Sequence, residues 1–311
     1  MRHGEREIDF RVSTLPIVHG ERIVLRILDK GNVTLGLDRI GTEEKTLKSF
    51  RKLIHLPEGI VLVTGPTVSG KTTTLYSAIS EINASEMNIL TIEDPVEYKL
   101  PGISQMNVNP RIELDFAKGL RHILRQDPDV IMIGEIRDRE TAEIAIQASL
   151  TGHLVLSTLH TNDAPSALTR LADMGIEPYL LASSILGVVA QRLVRCICPV
   201  CKIGYSPSHE ELAELGLKRA QIPSDKFFKG KGCSHCFDTG YKGRCGVYEL
   251  MPVTARIKAQ VLKSQDAEEL RRVALAQDMA TLFEQGVSLV AEGITTSAEL
   301  LRVTRMDLGR V

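Results

Sequence analysis

Apolar and polar residues alternate along the first thirty residues of the chain. The alternation runs through residues 8–13, stops at a loop with Pro16 and Gly20, and resumes over residues 23–27. A period of two predicts two strands joined as a β-hairpin. Because two strands do not form a stable core alone, we expect them to belong to a truncated domain whose other part lies upstream.

The pattern then changes to short apolar runs without alternation, at residues 60–63, 88–92, 129–134 and 153–159. Such runs suit strands that are buried on both faces, as in a parallel sheet. Helical patterns separate them, for example over residues 140–150 after the expected N-cap Asp138. Strands that alternate with helices predict an α/β fold with a mainly parallel sheet.

Helical periodicity also occurs before and after these runs. It begins near Thr42 and returns in four later segments, residues 164–174, 178–194, 265–277 and 282–291. We therefore expect a helix before the sheet, a helical pair after it, and a helical region from Pro252 to the end of the chain.

Composition and charge argue against a nucleic-acid-binding, a membrane-spanning or a secreted protein. The 311 residues include 38 Lys+Arg and 39 Asp+Glu, a net charge of −1 that gives no overall attraction to nucleic acid. The longest uncharged stretch, residues 144–162, contains nine polar residues, so we expect no membrane-spanning helix. The first residues lack the apolar core of a signal peptide, which predicts a cytoplasmic protein of two or three domains.

A phosphate-binding loop follows the first apolar run. It has the spacing G-x4-G-K-[ST] and comprises Gly65, Pro66, Thr67, Val68, Ser69, Gly70, Lys71, Thr72 and Thr73. This spacing aims backbone N–H groups and a helix N-terminus at a phosphate, while the lysine and the following hydroxyl serve the β/γ oxygens and Mg²⁺. A strand before the loop and a helix after it make a chance match improbable.

Acidic residues follow two other runs. Glu135 comes just after the run at 129–134, and Glu93, Asp94 and Glu97 follow the run at 88–92. The carboxyl ends of parallel strands are where α/β sheets build sites, although an Asp-Pro turn also explains part of the second cluster.

Two histidines, His153 and His160, flank the last apolar run. They are seven residues apart, so strand alternation places them on opposite faces. One of them can therefore reach a γ-phosphate while the other packs or caps a helix, and a purely structural role for both is the alternative.

All six cysteines lie between Cys196 and Cys245. Crowding in a reducing compartment favours a metal over disulfides, and paired C-x2-C spacing predicts a structural zinc site, with the ligands Cys198, Cys201, Cys233 and Cys236. Cys196 and Cys245 are left over, either as small residues at the edge of the module or as alternative ligands.

Four ordered motifs together resemble the secretion ATPase superfamily: GPTVSGKTTTLY, TIEDPVEY, GLRHILRQDPDVIMIGEIRD and TGHLVLSTLHTND. More narrowly, the chain is similar to the assembly ATPases of type II secretion and type IV pili. The resemblance implies a RecA-like core after a truncated α+β (PAS-like) domain. Its implied parts are 1–41 (end of the amino-terminal domain and linker), 42–195 (ATPase core), 196–250 (zinc module) and 251–311 (helical region).

The same resemblance implies roles for site residues. Glu135 would hold the Mg²⁺ shell, Glu97 would be the base that orients the attacking water, with Glu93 as second choice, and His160 would sense the γ-phosphate. The family also has arginines at the positions of Arg11 and Arg26, set against the nucleotide, and at four positions tied to activity or subunit contacts, Arg121, Arg125, Arg137 and Arg170.

Three function classes follow. The first is a homohexameric ATP-hydrolysing motor with ATP, Mg²⁺ and Zn²⁺, peripheral to the cytoplasmic side of the inner membrane, working with a platform protein and a membrane-anchoring partner and binding no nucleic acid. The second is a nucleic-acid-translocating RecA-like motor, which the 4% aromatic content disfavours. The third, a non-catalytic scaffold, leaves the phosphate loop unexplained. Because retraction ATPases lack the zinc insertion, the resemblance favours secretion or pilus extension.

One position departs from the family pattern. Val68 stands where relatives usually carry glycine, in a loop position that tends to need φ above zero. A β-branched residue takes that conformation only with strain, so we expect a distorted or destabilised loop, unless the backbone relaxes at Ser69.

Overall fold

The computed structural model describes residues 2–3, 6–29, 35–82, 86–219 and 226–308. The side chains of residues 2–9, 11, 26, 28–29 and 305–308 lie outside this description. The roles predicted for Arg11 and Arg26 rest on two of those side chains, so the structure bears only on their backbone.

The described residues form strands and helices in mixed order. The strands are β1 (Arg2–His3), β2 (Arg6–Ile17), β3 (Gly20–Asp29), β4 (Gly59–Thr64), β5 (Ile89–Glu93), β6 (Ser104–Asn107), β7 (Val130–Ile133), β8 (Leu154–Leu159), β9 (Ile185–Ile197), β10 (Lys202–Tyr205), β11 (Phe227–Gly230) and β12 (Tyr241–Pro252). The α-helices are α1 (Glu44–Ile54), α2 (Lys71–Glu81), α3 (Phe116–Ile123), α4 (Arg139–Leu150), α5 (Ala164–Asp173), α6 (Pro178–Ser184), α7 (His209–Glu214), α8 (Ala255–Lys263), α9 (Ala267–Leu275), α10 (Leu282–Ala291) and α11 (Ser297–Leu308).

A seven-stranded sheet forms the centre, in the order β12-β9-β4-β8-β7-β5-β6. All its pairings are parallel except that of β12 with β9. The predicted α/β class and the four predicted buried strands are therefore confirmed. The carboxyl ends of β4, β5, β7 and β8 meet along one edge, since these four strands run in the same direction.

Helices cover both faces of this sheet. On β4, Ile60 and Leu62 face a core built with α3 to α6 and the C-terminal helices, whereas Val61 and Val63 face a core built with α1 and α2. Every residue of β4 is buried, as its unbroken apolar run predicts. Asp138 caps α4 as predicted, accepting a hydrogen bond of 2.8 Å from the backbone N–H of Thr141.

The helix predicted over residues 178–194 is wrong beyond Ser184. From Ile185 the chain is strand β9, paired with β4 on one side and β12 on the other. Gly187 and the β-branched pair at 188–189 weaken a helix and suit a strand that is buried between neighbours. The strand was predicted as a helix because its apolar residues also fit helical spacing, and periodicity alone does not separate the two.

The predicted amino-terminal hairpin is confirmed, with β2 and β3 antiparallel. Its apolar side chains are nevertheless exposed, for example Val12 at 55% and Leu25 at 58%. The backbones of Arg11 and Arg26 lie directly opposite each other in the register. The PAS-like domain stays a prediction.

The predicted C-terminal helical region is confirmed as α8 to α11. The hairpin of β10 and β11 packs on it through a small core that includes Phe227 and Leu300. The predicted division into four parts stays a prediction, but β12 (Tyr241–Pro252) joins the main sheet, which therefore runs across the boundary predicted at residue 196. In the part of the chain that the structure describes, no helix has the length and apolarity needed to cross a membrane.

Candidate active site and metal centre

The phosphate loop lies at the carboxyl end of β4, between that strand and α2, which begins at Lys71. The last residue of β4, Thr64, ties the loop to its neighbour: its hydroxyl lies 3.1 Å from the carbonyl oxygen of Leu159 and accepts from the Thr161 N–H at 2.9 Å. The residues after β8 are thereby held beside the loop.

Glycine is required at both ends of the loop by close packing against β9. A Cβ on Gly65 would lie 2.4 Å from the carbonyl oxygen of Gln191, and one on Gly70 would lie 2.7 Å from its Nε2. Both glycines also have positive φ, 151° and 89°. The loop therefore rests on Gln191, whose Oε1 also accepts from the Thr74 hydroxyl on α2 at 2.8 Å.

The side chain of Lys71 lies back on its own loop. Its Nζ donates to the carbonyl oxygens of Gly65 at 2.9 Å and Pro66 at 3.1 Å. Burial, opposed by the carboxylate of Glu135 and assisted by the nearby charge of Arg192, lowers the pKa of Lys71 to about 8. A buried ammonium with only neutral partners is suited to bind the oxygens of an anion.

The loop has the features of a phosphate cradle. The hydroxyl of Ser69 is buried and has no hydrogen-bond partner among the described residues. Thr72 and Glu135 line the same cleft, and their oxygens are of the kind that Mg²⁺ prefers. The residues therefore fit a nucleotide phosphate with its magnesium ion.

Val68 has φ of 68°, as predicted for this position. Its side chain is 65% exposed, so packing does not compensate for the conformation. A β-branched residue in this region is strained by on the order of 1–3 kcal/mol.

Glu135 lies across the cleft from the loop, two residues beyond the end of β7. Its Oε1 accepts from Arg137, and its Oε2 lies 3.4 Å from Nε2 of His160. Burial opposes its charge, but the Arg137 hydrogen bond and the charges of Arg137, His160 and Lys71 keep its pKa below the usual value. Burial and the charge of Lys71 lower the pKa of His160, which favours the neutral imidazole.

The acidic turn, residues 93–97, completes the cleft. Glu93 is 3% exposed and accepts hydrogen bonds from the side chains of Tyr76, Thr91 and Gln105. Glu97 is exposed at the cleft. The two predicted candidates for the base thus lie in opposite environments.

The other predicted residues divide between the cleft and the surface. His153 caps the end of α4 at the Ala148 carbonyl, 2.8 Å away, which is the capping role expected for one of the two histidines. The contact of His160 with a γ-phosphate stays a prediction. Arg137 contacts Glu135 and Asp94, two residues that line the cleft. Three further predicted arginines do not line it: Arg121 of α3 pairs with Glu140, Arg125 in the turn after α3 donates to the Arg121 carbonyl, and Arg170 is exposed on α5.

Polar residues at the site that were missed from the sequence include Tyr76, Gln191, Arg192 and Arg244, the last of which lines the cleft from β12. Arg192 is buried and donates to the Asn162 carbonyl at 2.6 Å, which links β9 to the loop after His160. The two residues on β9 were hidden by the mistaken helix. Tyr76 looked like an ordinary core residue of an apolar helix face.

The four predicted metal ligands meet in one cluster, with all sulfurs within 4.8 Å of one another. The distances are 3.9 Å for Cys198–Cys233, 3.8 Å for Cys201–Cys236 and 3.7 Å for Cys233–Cys236. Tetrahedral zinc with Zn–S bonds of about 2.3 Å places sulfurs about 3.8 Å apart. The cluster therefore fits zinc with four thiolate ligands.

Two N–H groups, from Cys233 and Gly240, each donate to Sγ of Cys236 at 3.3 Å. Such bonds stabilise a thiolate ligand. Cys196 on β9 and Cys245 on the neighbouring strand β12 lie outside this cluster. Their placement agrees with the first of the two predicted alternatives, small residues at the edge of the module.

Residues 1–302 match the family described as Type II/IV secretion system protein. The chain is 53% identical over 307 residues to Type II secretion system protein E of Pseudomonas aeruginosa, covering 99% of this chain and 61% of that protein. It is 50% identical over 305 residues to Type II secretion system ATPase E of Vibrio cholerae, covering 98% and 60%. The chain thus spans about three fifths of these relatives.

Solved structures show the same fold. The pilus retraction motor PilT with bound ADP has a TM-score of 0.68 and 28% identity, over 98% of this chain and 79% of that chain. The ATPase DotB of Legionella pneumophila has a TM-score of 0.70 at 20% identity, over 98% and 76%, and supports the fold alone.

The depressed pKa of Lys71 predicts pH-dependent nucleotide binding. Well below pH 8 the ammonium is already charged, whereas above pH 8 binding must take up a proton, so affinity should fall about fivefold from pH 8 to pH 9. Calorimetric titration with ADP in two buffers of different ionisation enthalpy should show proton uptake at pH 9 and none at pH 7. An ADP affinity at pH 9 equal to that at pH 8, with no proton uptake on binding, would contradict the lowered pKa of Lys71.

Replacing the strained residue Val68 by glycine should increase both the affinity for ATP and the rate of hydrolysis. Val68→Gly removes the cost of holding φ at 68°, so ATP should bind about tenfold more tightly and turn over faster, as about 1.4 kcal/mol gives. Val68→Ala keeps a Cβ and serves as the control, with a smaller gain. Fluorescent-nucleotide titration and steady-state rates measure both. Parent-like values in Val68→Gly would mean that the loop carries no strain.

The sulfur cluster should hold about one zinc per chain. Elemental analysis of reduced protein should find that zinc and show its loss in Cys236→Ser, with a lower midpoint of thermal unfolding. Cys245→Ser, which alters the neighbouring pair, should keep the metal. Protein without zinc, or loss of zinc in both variants alike, would rule out the proposed ligand set.

Proposed function

The chain belongs to the Type II/IV secretion system protein family, and we propose that it is the ATP-hydrolysing part of a motor for type II secretion or type IV pilus assembly. The observation that carries the proposal is the meeting of a phosphate loop, Glu135, His160 and Glu97 along one edge of the sheet. These groups supply what phosphoryl transfer needs: positioning and charge stabilisation.

Binding begins at the loop. Lys71 leaves the carbonyl oxygens of its own loop for the β/γ oxygens of ATP, which offer charge in place of neutral acceptors. Magnesium, bound with the nucleotide, would supply positive charge on the same oxygens, and Glu135 and Thr72 are the residues that would hold it.

Hydrolysis then depends on three residues. Glu97 orients a water toward the γ-phosphorus and accepts its proton as the new P–O bond forms and the bond to the ADP oxygen breaks. His160 is placed beside Glu135 to contact the γ-phosphate. Arg11 and Arg26, opposite each other on the hairpin backbone, add positive charge from the amino-terminal side.

The proposal extends to the setting of the motor. We propose a homohexamer at the cytoplasmic side of the inner membrane, engaging a platform protein and a membrane-anchoring partner. The zinc module favours secretion or pilus assembly over retraction. A nucleic-acid motor gains no support, since the net charge is −1 and the relatives described above are named for secretion and pilus systems.

Two variants test the proposed chemistry. Lys71→Ala removes the phosphate charge and should weaken ATP binding about a hundredfold, equal to about 2.7 kcal/mol. Glu135→Ala should bind ATP but hydrolyse it at least about a hundredfold more slowly, because magnesium is no longer positioned. Nucleotide titration and phosphate release measure the two effects.

The matched control is Glu143→Ala, which removes an exposed glutamate paired with Arg139 on the outside of α4. It should bind and hydrolyse ATP as the parent does. Hydrolysis by Glu135→Ala at the parent rate would refute its assignment, and undiminished ATP binding by Lys71→Ala would refute the nucleotide site itself.

A further inference from the structure

The segment that carries Glu97 has no regular secondary structure, yet its backbone is held by side chains. From β6, Asn107 Oδ1 accepts from the Val96 N–H at 2.7 Å. Gln105 accepts from the Leu100 N–H at 2.7 Å and donates to the Tyr98 carbonyl at 3.0 Å. The turn is therefore bound to the edge of the sheet on one side.

On its other side the turn is bound by Tyr76 of α2. The Tyr76 hydroxyl donates to Glu93 Oε2 and accepts from the Glu97 N–H at 3.2 Å. Burial and the Glu93 hydrogen bond raise the pKa of Tyr76 well above its usual value, so the hydroxyl keeps its proton. Its ring packs edge-on against Tyr98, with ring centroids 5.9 Å apart.

Glu93 anchors this arrangement. Besides Tyr76, Thr91 donates to Glu93 at 2.6 Å and Gln105 at 3.2 Å. A buried carboxylate whose oxygens are occupied by three donors is suited to hold the turn in place. Both glutamates of the turn line the cleft, but Glu93 is a buried anchor and Glu97 is the exposed carboxylate.

We propose that Tyr76 is a positioning residue for ATP hydrolysis, which fixes the Glu97 backbone relative to the helix that begins at the phosphate-binding Lys71. The same rigid helix carries both ends of this connection, because Lys71 and Tyr76 are five residues apart on α2. A phosphate bound at the helix N-terminus and the base that activates water are thus held in one frame. The inference rests on the proposed role of Glu97 as base.

Geometry of this kind acts on the rate more than on affinity. A misplaced base leaves the phosphate contacts intact, but misalignment of about 1 Å at the reacting atoms lowers the rate strongly. A merely structural role for Tyr76 in the core would instead lower stability and affect binding and turnover together.

The test is Tyr76→Phe, which removes one hydroxyl and keeps the ring. We expect kcat for ATP to fall about tenfold, while KM and ADP affinity change less than about twofold. Tyr205→Phe is the matched control, because Tyr205 also donates to a glutamate, Glu211 at 2.5 Å, but lies in the zinc module. It should keep the parent kcat with a similar change in thermal stability.

Glu97→Gln separates this inference from the proposed function. It should hydrolyse very slowly, and adding Tyr76→Phe to it should cause no further loss, since a positioning residue needs the base that it positions. If Glu97→Gln turns over at the parent rate, the proposed base is wrong. If it is inactive while Tyr76→Phe keeps the parent kcat, or loses kcat and affinity alike, the positioning role is overturned.

Asn107→Ala provides a second measurement that does not disturb the core, because Asn107 is exposed on edge strand β6. It removes the acceptor of the Val96 N–H and should lower kcat about threefold at unchanged KM. Unchanged kcat here, together with a Tyr76→Phe protein that does not fold, would also reject the proposal.

Discussion

The position of β4 between two parallel neighbours is the constraint on which the rest of the structure depends. Because β4 is buried on both faces and pairs with β8 and β9, its carboxyl end is fixed relative to the ends of these two strands. Thr64 there binds the residues after β8, and Gln191 of β9 supports the glycines of the loop. The register of this one strand therefore brings together the phosphate loop, the residues around His160 after β8, and the buried side chains of Gln191 and Arg192 on β9.

The charged residues of the cleft are arranged to bind an anion such as a nucleotide phosphate. Lys71 is buried among carbonyl oxygens close to the charge of Arg192, which depresses its pKa, and Glu135 offsets part of that cost. The lowered pKa of His160 favours its neutral form, which adds no positive charge beside Lys71. Preorganised charge of this kind stabilises phosphoryl transfer because little rearrangement is needed when the reaction occurs.

The same sheet connects the cleft to the C-terminal helices. Glu249 of β12 is buried and accepts from the N–H of Ala164 at 2.8 Å and of Leu282 at 3.4 Å, the first residues of α5 and α10. Burial raises the pKa of Glu249 to about 7 despite these donors. Beside it, Asp163 pairs with Arg271 of α9 at 2.8 Å, so the loop after His160 is attached to the helical region at two points.

The residues by themselves determined the α/β class, the phosphate loop and the four cysteines that form one cluster. An unbroken apolar run is enough to bury a strand on both faces, the loop spacing is set by phosphate geometry, and C-x2-C pairs fit a tetrahedral ion. Positive φ at Val68 also follows from the motif alone. Each of these features depends on neighbours in sequence, where local chemistry decides the outcome.

Only the tertiary structure decided which polar residues complete the site. The segment at 185–197 is a strand because β4 and β12 offer it hydrogen bonds on both sides, which helical spacing does not reveal. Glu93 and Glu97 are chemically alike in sequence, and only the donors that surround Glu93 separate an anchor from an exposed carboxylate. These distinctions arise between residues far apart in the chain, because hydrogen-bond partners and burial depend on packing rather than on sequence spacing.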